Sequence, residues 1–267
     1  MRIARTSILV LFLASLMTGC KTLINKLAFH PDSINVISEN HLPQGIQHIT
    51  VTTEDGVTIE SLYLPSVGSN KVLIYFHGNA GNIYHRIPGL MLLQKLGVNV
   101  IGVSYRGYGK STGKPSEAGV YQDGKAVFKY VTEELGFAKT SVIILGRSIG
   151  STVAVNTAQH KDIAGLILVT PLTNAKEQAK VGGLRFLSPL AGDAFDNLTK
   201  IKNVNAPLLV VHGTQDGIIP ISMGRKLFEA ATAKKKFVAV EGAGHNNLQD
   251  VYGQAYWPPI FDFITQL

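Results

Sequence analysis

Six apolar runs of five to seven residues recur along this chain, with amphipathic stretches between them. They are VLIYF (72–76), VNVIGV (98–103), SVIILG (141–146), AGLILVT (164–170), PLLVVHG (207–213) and KFVAVEG (236–242). Each is short for a buried helix, and none alternates as a strand with one wet face would. Strands apolar on both sides must be covered on both faces. The segments between them, such as 116–135 and 221–231, have the length and periodicity of crossover helices. The expected fold class is therefore α/β, with a mostly parallel central sheet and helices on both faces.

The rest of the chain fits around that pattern. Ile49–Thr52 and Val57–Tyr63 alternate and are joined by Glu54-Asp55-Gly56, which predicts an antiparallel hairpin ahead of the parallel strands. No repeat, low-complexity tract or linker divides residues 47–267, so one domain is expected there. Residues 171–205 exceed what a simple crossover needs. They hold Gly182-Gly183, Ser188-Pro189 and several large apolar side chains, and are expected to form a small lid. Residues 20–46 are read as a lead-in without regular structure.

Composition removes several function classes. With 45% hydrophobic residues among 267, the chain can bury a core and is not a disordered protein. Its net charge of +7 is scattered, and no basic stripe is interleaved with aromatics, so nucleic acid is not an expected partner. A single cysteine leaves no internal disulfide framework, Cys-rich zinc site or iron–sulfur cluster. Neither a metal nor an organic cofactor is expected.

That cysteine is Cys20, and its context is informative. Arg2 and Arg5 precede an apolar stretch from Ser7 to Met17, which ends in Thr18-Gly19-Cys20. A positive flank, a short apolar core and small residues before a cut site mark a secretory signal. The arrangement resembles the lipobox of bacterial lipoproteins, although Met17 stands where leucine is usual. The resemblance implies removal of residues 1–19, acylation of Cys20, membrane lipid as a partner and a place in the bacterial cell envelope. Lys21 after the cysteine implies the outer membrane if the host is Gram-negative.

Chemistry concentrates where apolar runs end. Gly146-Arg147-Ser148-Ile149-Gly150 follows SVIIL and precedes a helix-compatible run, 151–159. A strand, a tight turn and a helix put Ser148 at a sharp bend beside a helix N-terminus. A serine hydroxyl needs a base, and the base needs an orienting carboxylate. Asp216 follows PLLVV and His245 follows KFVAV, each in a glycine-containing loop at a strand's C-terminal end. His212 is a weaker candidate base, better suited to orienting the Asp216 loop. The loop HGNAGN (77–82) can aim backbone N–H groups at a carbonyl oxygen, with Asn79 and Ile149 as the expected oxyanion donors. Residues 104–111 miss a phosphate-binding loop only at its first glycine, but Gly113 and Pro115 block the helix such a loop must enter.

HGNAGN (77–82), YRGYGKSTGKPSE (105–117), GRSIG (146–150), HGTQDGIIP (212–220) and GAGHNNL (242–248) occur in that order. The set resembles serine hydrolases of the α/β-hydrolase superfamily, most of all the small-lidded bud-emergence-like group to which membrane-associated depalmitoylases are similar. The resemblance implies an α/β-hydrolase fold and a Ser148–Asp216–His245 triad. It also implies hydrolysis of carboxylic esters or thioesters, palmitate among the acyl groups. One departure is Ser104, where the group usually has aspartate before Tyr-Arg-Gly. Two other readings compete with a membrane-anchored esterase acting on small-molecule or acylated substrates. They are a lipid-anchored binding protein on a hydrolase fold and a small serine peptidase.

Overall fold

The computed structural model describes residues 22–267, so the proposed signal 1–19 and Cys20 lie outside the described residues. The strands among them are β1 (His30–Pro31), β2 (Gln47–Thr52), β3 (Thr58–Leu64), β4 (Val72–Phe76), β5 (Ala80–Gly81), β6 (Asn99–Val103), β7 (Val142–Arg147), β8 (Gly165–Val169), β9 (Leu208–Gly213) and β10 (Lys235–Val240). The α-helices are α1 (22–28), α2 (Ile87–Gln94), α3 (Glu117–Lys129), α4 (Gly150–Ala158), α5 (Ala175–Val181), α6 (Asn197–Lys200), α7 (Ile221–Ala230) and α8 (Gly253–Gln266).

Eight strands form one sheet in the order β10-β9-β8-β7-β4-β6-β3-β2. From β10 to β6 every pairing is parallel. The β2–β3 hairpin closes in register from Gln47↔Tyr63 to Thr52↔Thr58, and β3 runs antiparallel to β6. Every residue of β4, β6, β7, β8 and β9 is buried, which is why these strands read as continuous apolar runs. β10 is different: it is an edge strand, half-exposed, and only Val240 is buried.

The pleat divides the core in two. Val72, Ile74 and Phe76 face a cluster completed by α3, α4 and α7, while Leu73 and Tyr75 face one completed by α2 and α8. α3 starts at Ser116, whose side chain accepts the Gly119 N–H, and ends in a single π-turn, Tyr130–Glu134. No helix among the described residues is long and apolar enough to cross a membrane.

The lead-in departs from expectation. Residues 22–28 form α1, whose Ile24 and Ala28 pack on the core. β1 then pairs with β5. The described part of α1 is too short to give a periodic signal, and tertiary contacts hold it. Between β8 and β9 the chain makes α5, a 3-10 stretch over Arg185–Ala191, and α6.

The strand order sets where a site can form. β4 pairs with β6 on one side and β7 on the other, so successive connections leave the sheet in opposite directions there. A crevice opens at the C-terminal ends of strands flanking such a switch. HGNAGN leaves β4 and Ser148 leaves β7 on its two sides.

Candidate active site

Ser148 sits one residue beyond β7 with φ +54°, in the left-handed region that non-glycine residues seldom occupy. Its N–H donates to the Val169 carbonyl (2.9 Å) and its carbonyl accepts from Ser151 N–H (2.9 Å), pinning the bend between sheet and helix. The flanking glycines are required by space. A Cβ at Gly150 would meet the Phe76 carbonyl oxygen at 2.3 Å, and one at Gly146 would meet the Gly150 carbonyl oxygen at 2.5 Å. The motif thus lets β4, β7 and α4 approach closely enough to force the serine outward.

The three residues that the sequence singled out meet. His245 Nε2 lies 3.0 Å from Ser148 Oγ, and its Nδ1 lies 2.8 Å from Asp216 Oδ2. Burial pushes the Asp216 carboxyl up, but hydrogen bonds from His212, His245 and the Ile219 N–H outweigh it and hold it below the usual carboxylate range. An ionised carboxylate only accepts, so Nδ1 carries the imidazole proton and Nε2 is free to accept from the serine hydroxyl. Asp216 Oδ1 accepts from the N–H groups of Ile218 (2.9 Å) and Ile219 (2.8 Å), which fixes the carboxylate plane. All three residues are at most 9% exposed.

His212 does orient the Asp216 loop. Its Nε2–H donates to the Ile219 carbonyl (2.8 Å) and stands 3.5 Å from Asp216 Oδ2. The His245 loop is held by Gln215 N–H on the Ala243 carbonyl (2.9 Å) and by Gly244 N–H on Asn247 Oδ1 (2.8 Å).

Asn79 and Ile149 border the same cavity as Ser148. The N–H of neither donates a hydrogen bond among the described residues. The Asn79 carbonyl is turned to Tyr108 Oη–H (2.7 Å) and His30 N–H (3.3 Å). The preceding His77 is fully buried. Its Nδ1–H donates to the Gly78 carbonyl (2.6 Å), and its own carbonyl accepts from Tyr105 Oη–H (2.8 Å). Burial pushes the His77 imidazole down to about 3, against the opposing pull of that Gly78 carbonyl, so the ring is neutral.

The cavity has a volume of about 720 Å³. One wall is apolar and comes from α1 (Leu23, Ile24, Leu27), the segment between β8 and β9 (Leu172, Leu190, Phe195) and Ile219. The other is polar and includes Asn79, Arg86, Arg147, Asn246 and Gln249. The α1 residues and both arginines escaped the sequence reading. Only the charge at the second position of GRSIG could have signalled Arg147. No group of three or more His, Cys, Asp or Glu side chains among the described residues is arranged to hold a metal ion.

Comparison with known proteins gives consistent results. Residues 71–203 match the family model described as alpha/beta hydrolase fold. The protein bem46 of Schizosaccharomyces pombe is 36% identical, the match covering 92% of this chain and 86% of that protein. The alpha/beta hydrolase domain-containing protein 17B of Homo sapiens is 32% identical over 83% of this chain and 76% of its own. Among solved structures, an esterase from Pyrococcus furiosus superposes with a TM-score of 0.76 at 20% identity, covering 89% of this chain and 98% of that one.

Proposed function

Because the chain belongs to the α/β-hydrolase family, we propose that it is a serine hydrolase of carboxylic esters or thioesters. The observation that carries this reading is the unbroken relay from Asp216 Oδ2 through His245 to Ser148 Oγ, at 2.8 and 3.0 Å. Ser148 Oγ attacks the acyl carbon while His245 Nε2 takes its proton. The oxygen that becomes negative is held by the N–H groups of Asn79 and Ile149. The C–O or C–S bond then breaks, and the alcohol or thiol leaves with the proton from His245. Water adds to the acyl-enzyme by the same route, releasing the carboxylic acid and restoring the serine. Asp216 keeps the imidazole in the productive tautomer and stabilises its charged form. The apolar wall of Leu172, Leu190, Phe195 and α1 accommodates the acyl chain.

Cys20 is read as the acylated first residue of the mature chain, which places the enzyme on a membrane of the bacterial envelope. The Thr18-Gly19-Cys20 context supports this, as do Leu23 and Leu27, which are 41% and 46% exposed just after it.

The test is labelling of the purified protein with a fluorophosphonate, followed by peptide mapping. The adduct is expected on the peptide containing Ser148 and absent in Ser148→Ala. A properly folded protein that takes no label and turns over no ester is a binding protein on this fold, and the reading fails.

A further inference from the structure

Two arginines border the cavity, and among the described residues neither has a carboxylate within ion-pair distance. Arg147 is only 8% exposed; its guanidinium donates to the His245 carbonyl (2.9 Å), and its Nε is buried without a partner. Arg86, half-buried, donates to the Ala80 carbonyl (2.7 Å), and its Nε is likewise buried and unpartnered. Among the described residues neither forms an ion pair. Arg106 shows the contrast, held between Asp55 (2.7 Å) and Asp123 (2.8 Å). A guanidinium does not lose its proton in a protein, so both charges persist. Carbonyl dipoles satisfy single N–H groups but leave the charge uncompensated, and a buried uncompensated charge is costly.

Their attachments fix where an anion would sit. Arg147 is the residue before Ser148 and is bonded to the main chain of His245. Arg86 is bonded to the residue after Asn79. Both therefore belong to the polar wall formed by the loops that carry the reacting groups. Apart from Ile219 of the Asp216 loop, the apolar lining comes from other segments of the chain. Asn246 and Gln249 add uncharged polar groups to the arginine side. Asp250 also borders the cavity, but it is exposed and pairs with neither arginine.

We propose that Arg86 and Arg147 form an anion subsite that takes a carboxylate or phosphate carried by the leaving group of the substrate. The inference rests on the reading of Ser148 as nucleophile. The natural substrate is then an acyl ester or thioester of a negatively charged alcohol or thiol, its acyl chain on the apolar wall and its anion between the arginines. Guanidinium forks suit both oxyacids, because each offers two oxygens in one plane.

The test uses three butyryl esters with similar leaving groups: those of 3-hydroxybenzamide, 3-hydroxybenzoate and 3-hydroxyphenyl phosphate. The readout is the ratio of kcat/KM for each anionic ester to that for the neutral one. At least one anionic ester should be favoured roughly tenfold or more, as expected for charge-assisted hydrogen bonds. The better of the two identifies the anion. Arg86→Gln and Arg147→Gln should each bring that ratio down toward one. If Arg147→Gln fails to fold, Arg86→Gln alone carries the comparison. A wild-type ratio at or below one for both anions overturns the proposal. So does a high ratio that neither variant lowers, since steering by net charge would then explain it. Failure of the underlying reading looks different, because Ser148→Ala would still turn over the neutral ester.

Discussion

Ser148 combines the hydroxyl proposed as nucleophile with a backbone that an L-residue resists, at φ +54°. Holding a non-glycine residue there costs on the order of 1–2 kcal/mol. Ser148→Gly should therefore raise the melting temperature while abolishing turnover, whereas Ser148→Ala abolishes turnover at nearly unchanged stability. Asp216→Asn should lower kcat on the order of 10⁴-fold through the wrong imidazole tautomer, with the fold retained in circular dichroism. Equal losses from changing Asp193 or Asp196 would identify a different acid. His77 makes a prediction about pH. In the unfolded chain a histidine takes a proton below about 6.5, whereas in the folded protein His77 resists protonation down to about 3. The unfolded state thus binds the extra proton in that window, so stability falls as pH drops from 6.5 toward 3. The full loss is on the order of 5 kcal/mol. Urea titrations at pH 7, 5.5 and 4.5 should show it, and His77→Asn should flatten the slope by close to one proton. Position 104, where the resembling group usually has aspartate, holds Ser104, whose hydroxyl is buried without a partner. A buried acid stands beside it all the same: Glu60 of β3 accepts from Tyr84 Oη–H and Lys110 N–H and binds His48 Nε2 (2.8 Å).

At the scale of elements, what the sequence revealed depended on how each segment is buried. β4, β6, β7, β8 and β9 were legible because both faces are covered, so the apolar run has no gap. Ser148, Asp216 and His245 were legible because each follows the end of an apolar run beside glycines, β7, β9 and β10 in turn. α1 was not, since its fourfold contribution of Leu23, Ile24, Leu27 and Ala28 to the cavity lining makes sense only against residues far along the chain. Arg86 and Arg147 were equally hidden, because what distinguishes them is the lack of a nearby carboxylate in space. The apolar wall carries its own prediction. Each methylene it covers contributes ~0.8 kcal/mol, or about fourfold in kcat/KM. p-Nitrophenyl octanoate should therefore be a better substrate than the acetate. Leu27→Asp and Leu190→Asp should each depress octanoate turnover several-fold more than acetate turnover. Equal effects on both esters would show that the acyl chain lies elsewhere.

For the whole molecule, the order of strands was beyond the sequence. Nothing in the six runs says that β4 lies between β6 and β7 rather than beside its neighbours in the chain. That placement makes the crevice, with helices packed on both faces of the sheet. The proposed attachment of the molecule to a membrane is tested separately from its chemistry. Two acyl chains on Cys20 suffice for stable anchoring, at ~0.8 kcal/mol per buried methylene. Cys20→Ser should release active protein into the soluble fraction. Retention of that variant in membranes washed with high salt would indicate an uncleaved signal instead.

α1 is the first described segment to be synthesised, yet it docks on chain made much later. Asn25 Oδ1 accepts from Glu117 N–H (3.1 Å), and Phe29 meets Phe195 edge-on with ring centroids 5.9 Å apart. Such distant contacts close long loops, so this helix is expected to seat late in folding. A segment that docks through such contacts is expected to open before the sheet does. Its amides should exchange with deuterium well before those of α4, and a slowly dissociating inhibitor in the cavity should protect them selectively. Exchange no faster than that of α4, or unaffected by the inhibitor, would show that α1 stays seated while the cavity fills.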